Sequence, residues 1–171
     1  MTPELAKQIC LNAHKEQWRK PVTIKTDSWD CYKQQVEFIH ENGNKIVWCN
    51  ADTFLVYEPY SNHPIAVADM LSTDKEKILA YLHDVIEDTN ITYDELYKLG
   101  LNECDDDVLN ALKLLTKQPQ QEYSLYIFNI SCCRLARKVK IADMFHNMST
   151  STSEKQKAGY LKHIPILLNN L

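Results

Sequence analysis

Apolar positions along this chain recur with a helical period almost throughout, and one stretch breaks the rhythm. Thr2-Pro3-Glu4 gives a hydroxyl N-cap, a proline at the first helical position and an acid in the first turn. Leu5, Ile9 and Ala13 follow at i,i+4, and the pattern predicts a helix through Arg19-Lys20, ended by Pro21. From Pro21 to about Tyr57 the character changes. Val22-Thr23-Ile24, Gln35-Val36-Glu37-Phe38-Ile39 and Lys45-Ile46-Val47-Trp48-Cys49 are β-leaning, and Glu41-Asn42-Gly43-Asn44 is a turn signal. The expectation is a hairpin, extending to three short strands, that serves as a surface excursion, a flap or a dimer edge.

Helical spacing returns after Pro59. Asn62 or Ser61 can cap a short helix begun by Pro64 and filled by Ile65, Val67, Ala68 and Leu71, which fixes His63 at its start. Ser72-Thr73-Asp74 caps the next, carrying Ile78, Leu79, Leu82, Val85 and Ile86. Thr92-Tyr93-Asp94-Glu95 is a capping box whose helix stops at Gly100, and Glu103–Lys117 forms a further helix closed by Pro119. Its acids Asp105-Asp106-Asp107 read as a negative first turn facing the helix dipole. Glu122 to about Ile130 is helical, Ser131-Cys132-Cys133 is a break or a continuation, and Leu135, Val139, Ala142 and Phe145 stripe the next helix. Ser151-Thr152-Ser153-Glu154 caps a last helix that Pro165 should kink or break.

Composition narrows the class without changing this picture. The 171 residues favour one domain over 1–171, mainly α, with the 21–57 stretch inserted. A formal charge of −4 advertises no nucleic-acid surface. No apolar run is long enough to span a membrane, and the N-terminus lacks a signal-peptide pattern. Six scattered cysteines without a CxxC pair read as reduced residues of a cytoplasmic protein.

The candidate chemistry lies in Tyr81-Leu82-His83-Asp84-Val85-Ile86-Glu87-Asp88-Thr89. On a continuous helix His83 and Glu87 stand at i,i+4, as do Asp84 and Asp88, while Leu82, Val85 and Ile86 are apolar. Charges placed among buried neighbours need a partner, and a divalent cation suits a His-Asp pair with further acids nearby. The residues themselves leave the other ligands open among His14, His40, His63, Asp143, His146 and His163. An ion pair between Asp143 and Lys140 at i−3 is the structural alternative for that buried acid.

His63-Pro64, then His83-Asp84-Val85-Ile86-Glu87-Asp88-Thr89, then Val139-Lys140-Ile141-Ala142-Asp143-Met144-Phe145-His146-Asn147-Met148 resemble, in order and spacing, the HD-domain superfamily. More narrowly the chain resembles the hydrolase domain of the RelA/SpoT homologues and the small alarmone hydrolases. Ala13-His14-Lys15-Glu16-Gln17-Trp18-Arg19-Lys20 and Pro59-Tyr60-Ser61-Asn62-His63-Pro64 fit the same family.

The resemblance implies an HD-domain helical bundle and one Mn²⁺ held by His63, His83, Asp84 and Asp143. It makes Glu87 and Asp88 the residues that orient and deprotonate the attacking water. Arg19, Lys20 and Asn147 become substrate contacts, and His14, His40, His146 and His163 are left to packing or support. The implied activity is removal of the 3′-pyrophosphate from ppGpp-like or ppApp-like alarmones. The rivals are an HD phosphohydrolase acting on dNTPs or nucleoside monophosphates, and a non-catalytic metal- or nucleotide-binding module. A small nucleotide is the expected partner, with neither membrane nor nucleic acid, and a homo-oligomer is compatible with the chain.

Overall fold

A computed structural model describes residues 1–25, 37–41, 43–50, 53–102, 105–150 and 153–169. The chain divides into a helical unit, Met1–His14 with His63–Leu171, and a second unit, Lys15–Asn62.

Local sequence sets most boundaries of the helical unit. In α1 (Pro3–Ala13) the Thr2 hydroxyl accepts from the Leu5 N–H at 3.3 Å, and Ala6, Ile9 and Cys10 are buried. This helix stops at Ala13, short of the expected Arg19-Lys20, because His14 leaves the helical conformation while its N–H still closes on the Cys10 carbonyl. Helix α2 (Asn62–Asp69) buries His63, Pro64, Val67 and Ala68. Helix α3 (Asp74–Leu82) opens with a capping box between Thr73 and Glu76 and packs on α1.

The expectation of one helix through the central motif is corrected: α3 ends at Leu82, and α4 (Val85–Asp88) starts afresh after His83 and Asp84. Asp84 adopts φ −100°, ψ −9°, so the peptide planes turn there and the two i,i+4 rows do not lie on a single helix. The new helix opens with a bond from the Asp88 N–H to the Asp84 carbonyl at 2.9 Å.

Helix α5 (Tyr93–Lys98) has its capping box in Thr92 and Glu95, and Gly100 ends it at φ +106°, a left-handed backbone suited to glycine. Helices α6 (Asp106–Leu115) and α7 (Tyr123–Ser131) follow, and Cys132-Cys133 is a break before α8 (Arg134–Ser149). The three acids at α6 do more than face a dipole. Asp105 takes the Met1 ammonium at 2.9 Å and Asp107 takes Lys75 at 2.7 Å. Helix α9 (Glu154–Leu168) has a capping box of Ser153 and Gln156 and runs through Pro165 without ending. Leu161, four residues before that proline, and Pro165 itself both face solvent, where water can serve the carbonyl that proline leaves without a donor. Leu79, Leu82, Leu96, Leu112, Ile127 and Met144 are fully buried, and α8 touches α3, α6, α7 and α9.

The second unit holds four strands, β1 (Val22–Lys25), β2 (Glu37–Ile39), β3 (Lys45–Asn50) and β4 (Thr53–Tyr57), in the antiparallel order β1-β4-β3-β2. The foreseen hairpin is β2 and β3, turned by Gly43 at φ +85°. The strand not foreseen is β4, an unbroken apolar run that pairs on both sides. Arg19 N–H bonds the Glu58 carbonyl at 2.9 Å and Trp18 bridges Pro59, so this stretch is extended rather than helical. Gln35 and Val36 lie outside the described residues. Among the described residues Cys10 is a buried free thiol, Cys132 is exposed and Cys133 intermediate, and no helix is long and apolar enough to cross a membrane.

Candidate metal centre

Three elements of the helical unit bring ring nitrogens and carboxylate oxygens to one point. The second residue of α2 is His63, the end of α3 is His83, and the middle of α8 carries Asp143. One ligand atom from each lies within 4.8 Å of the others, and all three residues are buried. His63 Nε2 is 3.0 Å from Asp143 Oδ1 and 3.6 Å from Asp84 Oδ2. His83 Nε2 is 3.2 Å from Asp84 Oδ1 and 3.8 Å from Asp143 Oδ1. His83 and Asp84 reach this point from the junction between α3 and α4.

The surrounding contacts orient each group. His83 Nδ1 faces the Ala80 carbonyl at 2.7 Å, which leaves Nε2 turned toward the carboxylates. His63 Nδ1 lies 2.7 Å from His146 Nδ1, and the two rings are 4.8 Å apart by centroid. Asp143 divides its oxygens: Oδ2 takes the Lys140 ammonium at 2.8 Å, and Oδ1 takes the Asn147 amide at 2.6 Å. Lys140 in turn sits over the Tyr126 ring, 5.3 Å from its centroid, and the Tyr126 hydroxyl donates to the Leu115 carbonyl at 2.7 Å.

Charge and burial compete here. Burial alone would strip the proton from His83, but the Asp84 and Asp143 carboxylates outweigh it and raise the imidazole to about 10. Burial would likewise raise Asp84, yet the His83 charge holds it at about 2. Asp143 is held well below the usual carboxylate range against its burial, chiefly by Lys140. The carboxylates are therefore charged and gather cationic character around them.

The donor set fits a divalent ion. Two imidazoles and one or two carboxylates suit a borderline metal, and the buried His83 Nε2 makes no aligned hydrogen bond within the protein. These residues could hold a metal, with Asp84 reaching both histidines beside the three.

Glu87 and Asp88 close α4, and both are exposed. Glu87 Oε2 accepts the Lys117 N–H at 3.1 Å. Neighbouring protein atoms withdraw water from its carboxyl and raise its proton affinity above the ordinary value, with Asp84 adding and the Lys117 amide opposing. Asn147 lies against Asp143, whereas Arg19, half-buried, and Lys20, exposed, belong to the second unit. The contact between His63 and His146 was not read from the sequence. Its only signal was that His146 follows Asp143 by three residues on the same helix.

No protein-family model matches the chain. It is 38% identical over 104 residues to a guanosine-3′,5′-bis(diphosphate) 3′-pyrophosphohydrolase of Haemophilus influenzae, covering 54% of this chain and 15% of that protein. It is 34% identical over 106 residues to the enzyme of that name called MESH1 in Xenopus tropicalis, covering 53% of this chain and 54% of that one. The bifunctional (p)ppGpp synthase/hydrolase SpoT of Escherichia coli is 36% identical over 104 residues. The matches thus span about half or less of the curated relatives' own length. A solved structure described as a metazoan ortholog of SpoT that hydrolyses ppGpp has a TM-score of 0.61, at 19% identity, covering 98% of this chain and 84% of that one. The chain thus shares the mainly α fold of that structure and is similar in sequence to the ppGpp 3′-pyrophosphohydrolases.

Proposed function

We propose that this chain is a metal-dependent hydrolase that removes the 3′-pyrophosphate from ppGpp-like or ppApp-like alarmones, with one Mn²⁺ held by His63, His83, Asp84 and Asp143. The observation that carries the reading is the meeting of His63, His83 and Asp143 within 4.8 Å, inside a fold shared with the metazoan ortholog of SpoT. The whole chain is taken as one hydrolase domain with residues 21–57 inserted, working in the cytoplasm.

A divalent ion bound to these four residues would acidify a water and draw off charge from phosphate oxygens. The protein supplies the rest. Glu87 and Asp88 orient the attacking water and take its proton, and the raised proton affinity of Glu87 suits a general base. Lys140 and Asn147 hold Asp143 with one oxygen turned toward the histidines, and Asn147 also contacts substrate. Arg19 and Lys20 bind phosphate charge, for which a guanidinium offers paired donors.

Pyrophosphate release from ppGpp, ppApp, dNTPs and nucleoside monophosphates, measured with Mn²⁺ and with EDTA, tests the reading. The expected result is metal-dependent release from ppGpp or ppApp. Turnover confined to dNTPs or monophosphates overturns the substrate, and absence of turnover with metal bound overturns the enzyme.

A further inference from the structure

His146 is half-buried on α8 and stands outside the groups assigned to metal, water or substrate. Its Nδ1 is nevertheless 2.7 Å from Nδ1 of His63, a side chain only 3% exposed. The His63 nitrogen facing the carboxylates is Nε2, at 3.0 Å from Asp143 and 3.6 Å from Asp84. A histidine that gives its Nε2 lone pair to a cation carries its remaining proton on Nδ1. Buried, that N–H requires an acceptor.

We infer that His146 is a positioning residue for the metal: its Nδ1 accepts a hydrogen bond from His63 Nδ1–H and so keeps the His63 Nε2 lone pair turned toward the ion. The inference rests on the metal-centre reading above. It fixes both tautomers, because His146 can accept at Nδ1 only with its own proton on Nε2.

The other histidine of the site is served differently. His83 Nδ1 meets the Ala80 carbonyl at 2.7 Å, an acceptor built into the same helix. At the start of α2, His63 instead meets a side chain from α8 with its Nδ1. Helix α8 therefore delivers a ligand, Asp143, together with the group that aims a second ligand from another helix. Outer partners of this kind commonly change metal affinity by 10–100-fold when removed.

Titration of the purified full chain with Mn²⁺ by calorimetry, for wild type, His63→Ala, His146→Phe and His146→Asn, tests this. His146→Phe should bind Mn²⁺ at least about tenfold more weakly than wild type, with an unchanged circular dichroism spectrum. His146→Asn places an amide oxygen near the lost Nδ1 and should recover most of the affinity. In wild type loaded with diamagnetic Zn²⁺, nitrogen NMR should find His63 protonated at Nδ1 and His146 protonated at Nε2.

Affinity of His146→Phe equal to wild type, with His63→Ala weakened, overturns the inference and leaves the metal centre standing. His63 unprotonated at Nδ1 in the loaded protein overturns it as well, even if the phenylalanine variant fails to fold. Failure of wild type to bind either metal overturns the metal centre itself.

Discussion

Two buried charge clusters join α3 to α8, and they are built on opposite plans. Near the start of α3, Glu76 meets Lys138 through Oε1, while Oε2 accepts the Ser72 and Thr73 N–H groups, both at 3.1 Å. The acid has a base and both its oxygens are occupied. At the far end of α3 the cluster of His63, His83, Asp84 and Asp143 converges two carboxylates on two imidazole edges, and His83 Nε2 makes no aligned hydrogen bond. Burial of charge does not itself mark a functional site. The first cluster is closed by its own neighbours and secures a helix start; the second gathers donor atoms around a shared point.

The sharpest way to test the division is Glu87→Gln. The amide can still accept the Lys117 N–H but cannot take a proton from water. Hydrolysis of ppGpp should fall on the order of 10³-fold while Mn²⁺ affinity, read by calorimetry, stays within about threefold. Loss of metal binding as well would move Glu87 into the ligand set.

A smaller effect is expected at the closed cluster. Burial would raise Glu76, but Lys138 and the two amides prevail and hold it at about 2. Its folded value is thus below its unfolded one, so the stability it contributes is present above about pH 4.5 and drains away as pH falls toward 2. Up to about 3 kcal/mol is at stake. Urea denaturation of Glu76→Gln should show a loss of that order at neutral pH and a weaker acid-side decline, with Mn²⁺ affinity unchanged. Altered affinity would mean that the two clusters are coupled along α3 and α8.

The smallest effect concerns protons at the open cluster. His83, raised to about 10 by its carboxylate neighbours against its burial, keeps its proton at neutral pH, and ligation must expel it. Mn²⁺ affinity should therefore rise about tenfold per pH unit between roughly pH 6 and 8. Calorimetry in two buffers of different ionisation enthalpy should count about one proton released, and a pH-independent affinity would contradict this.

Helix starts were the most legible part of the sequence. Thr2, Thr73, Thr92 and Ser153 cap the helices that their spacing announces, because a hydroxyl at N-cap acts locally, reinforced after the last three by an acid or amide three residues on. Helix ends without glycine or proline were harder to read. Ala13 and Leu82 end helices where the chain turns for tertiary reasons, and His14 and Asp84 bear no local stop signal. Strand β4 was missed because Thr53-Phe54-Leu55-Val56-Tyr57 does not alternate apolar with polar positions, and every residue of it is half-buried. At the site, the His-Asp dipeptide and the acids after it carried the chemical signal. The meeting of His63 with Asp143, eighty residues apart, came from family resemblance, and its contact with His146 came from the fold alone.

The spacing of Lys140, Asp143, His146 and Asn147 along α8 has a consequence for which changes of chain length the protein can absorb. These side chains keep their bearings only through the rotation of a helix whose preceding positions on the same face, Ala136 and Val139, are locked in the core. One residue inserted between Val139 and Lys140 would swing the whole group by about 100° while leaving the upstream packing intact. The same insertion near Asn102, between α5 and α6, would disturb only a connection. In this chain α8 is read in register, like a ruler, and lineages that keep the chemistry should vary in length elsewhere.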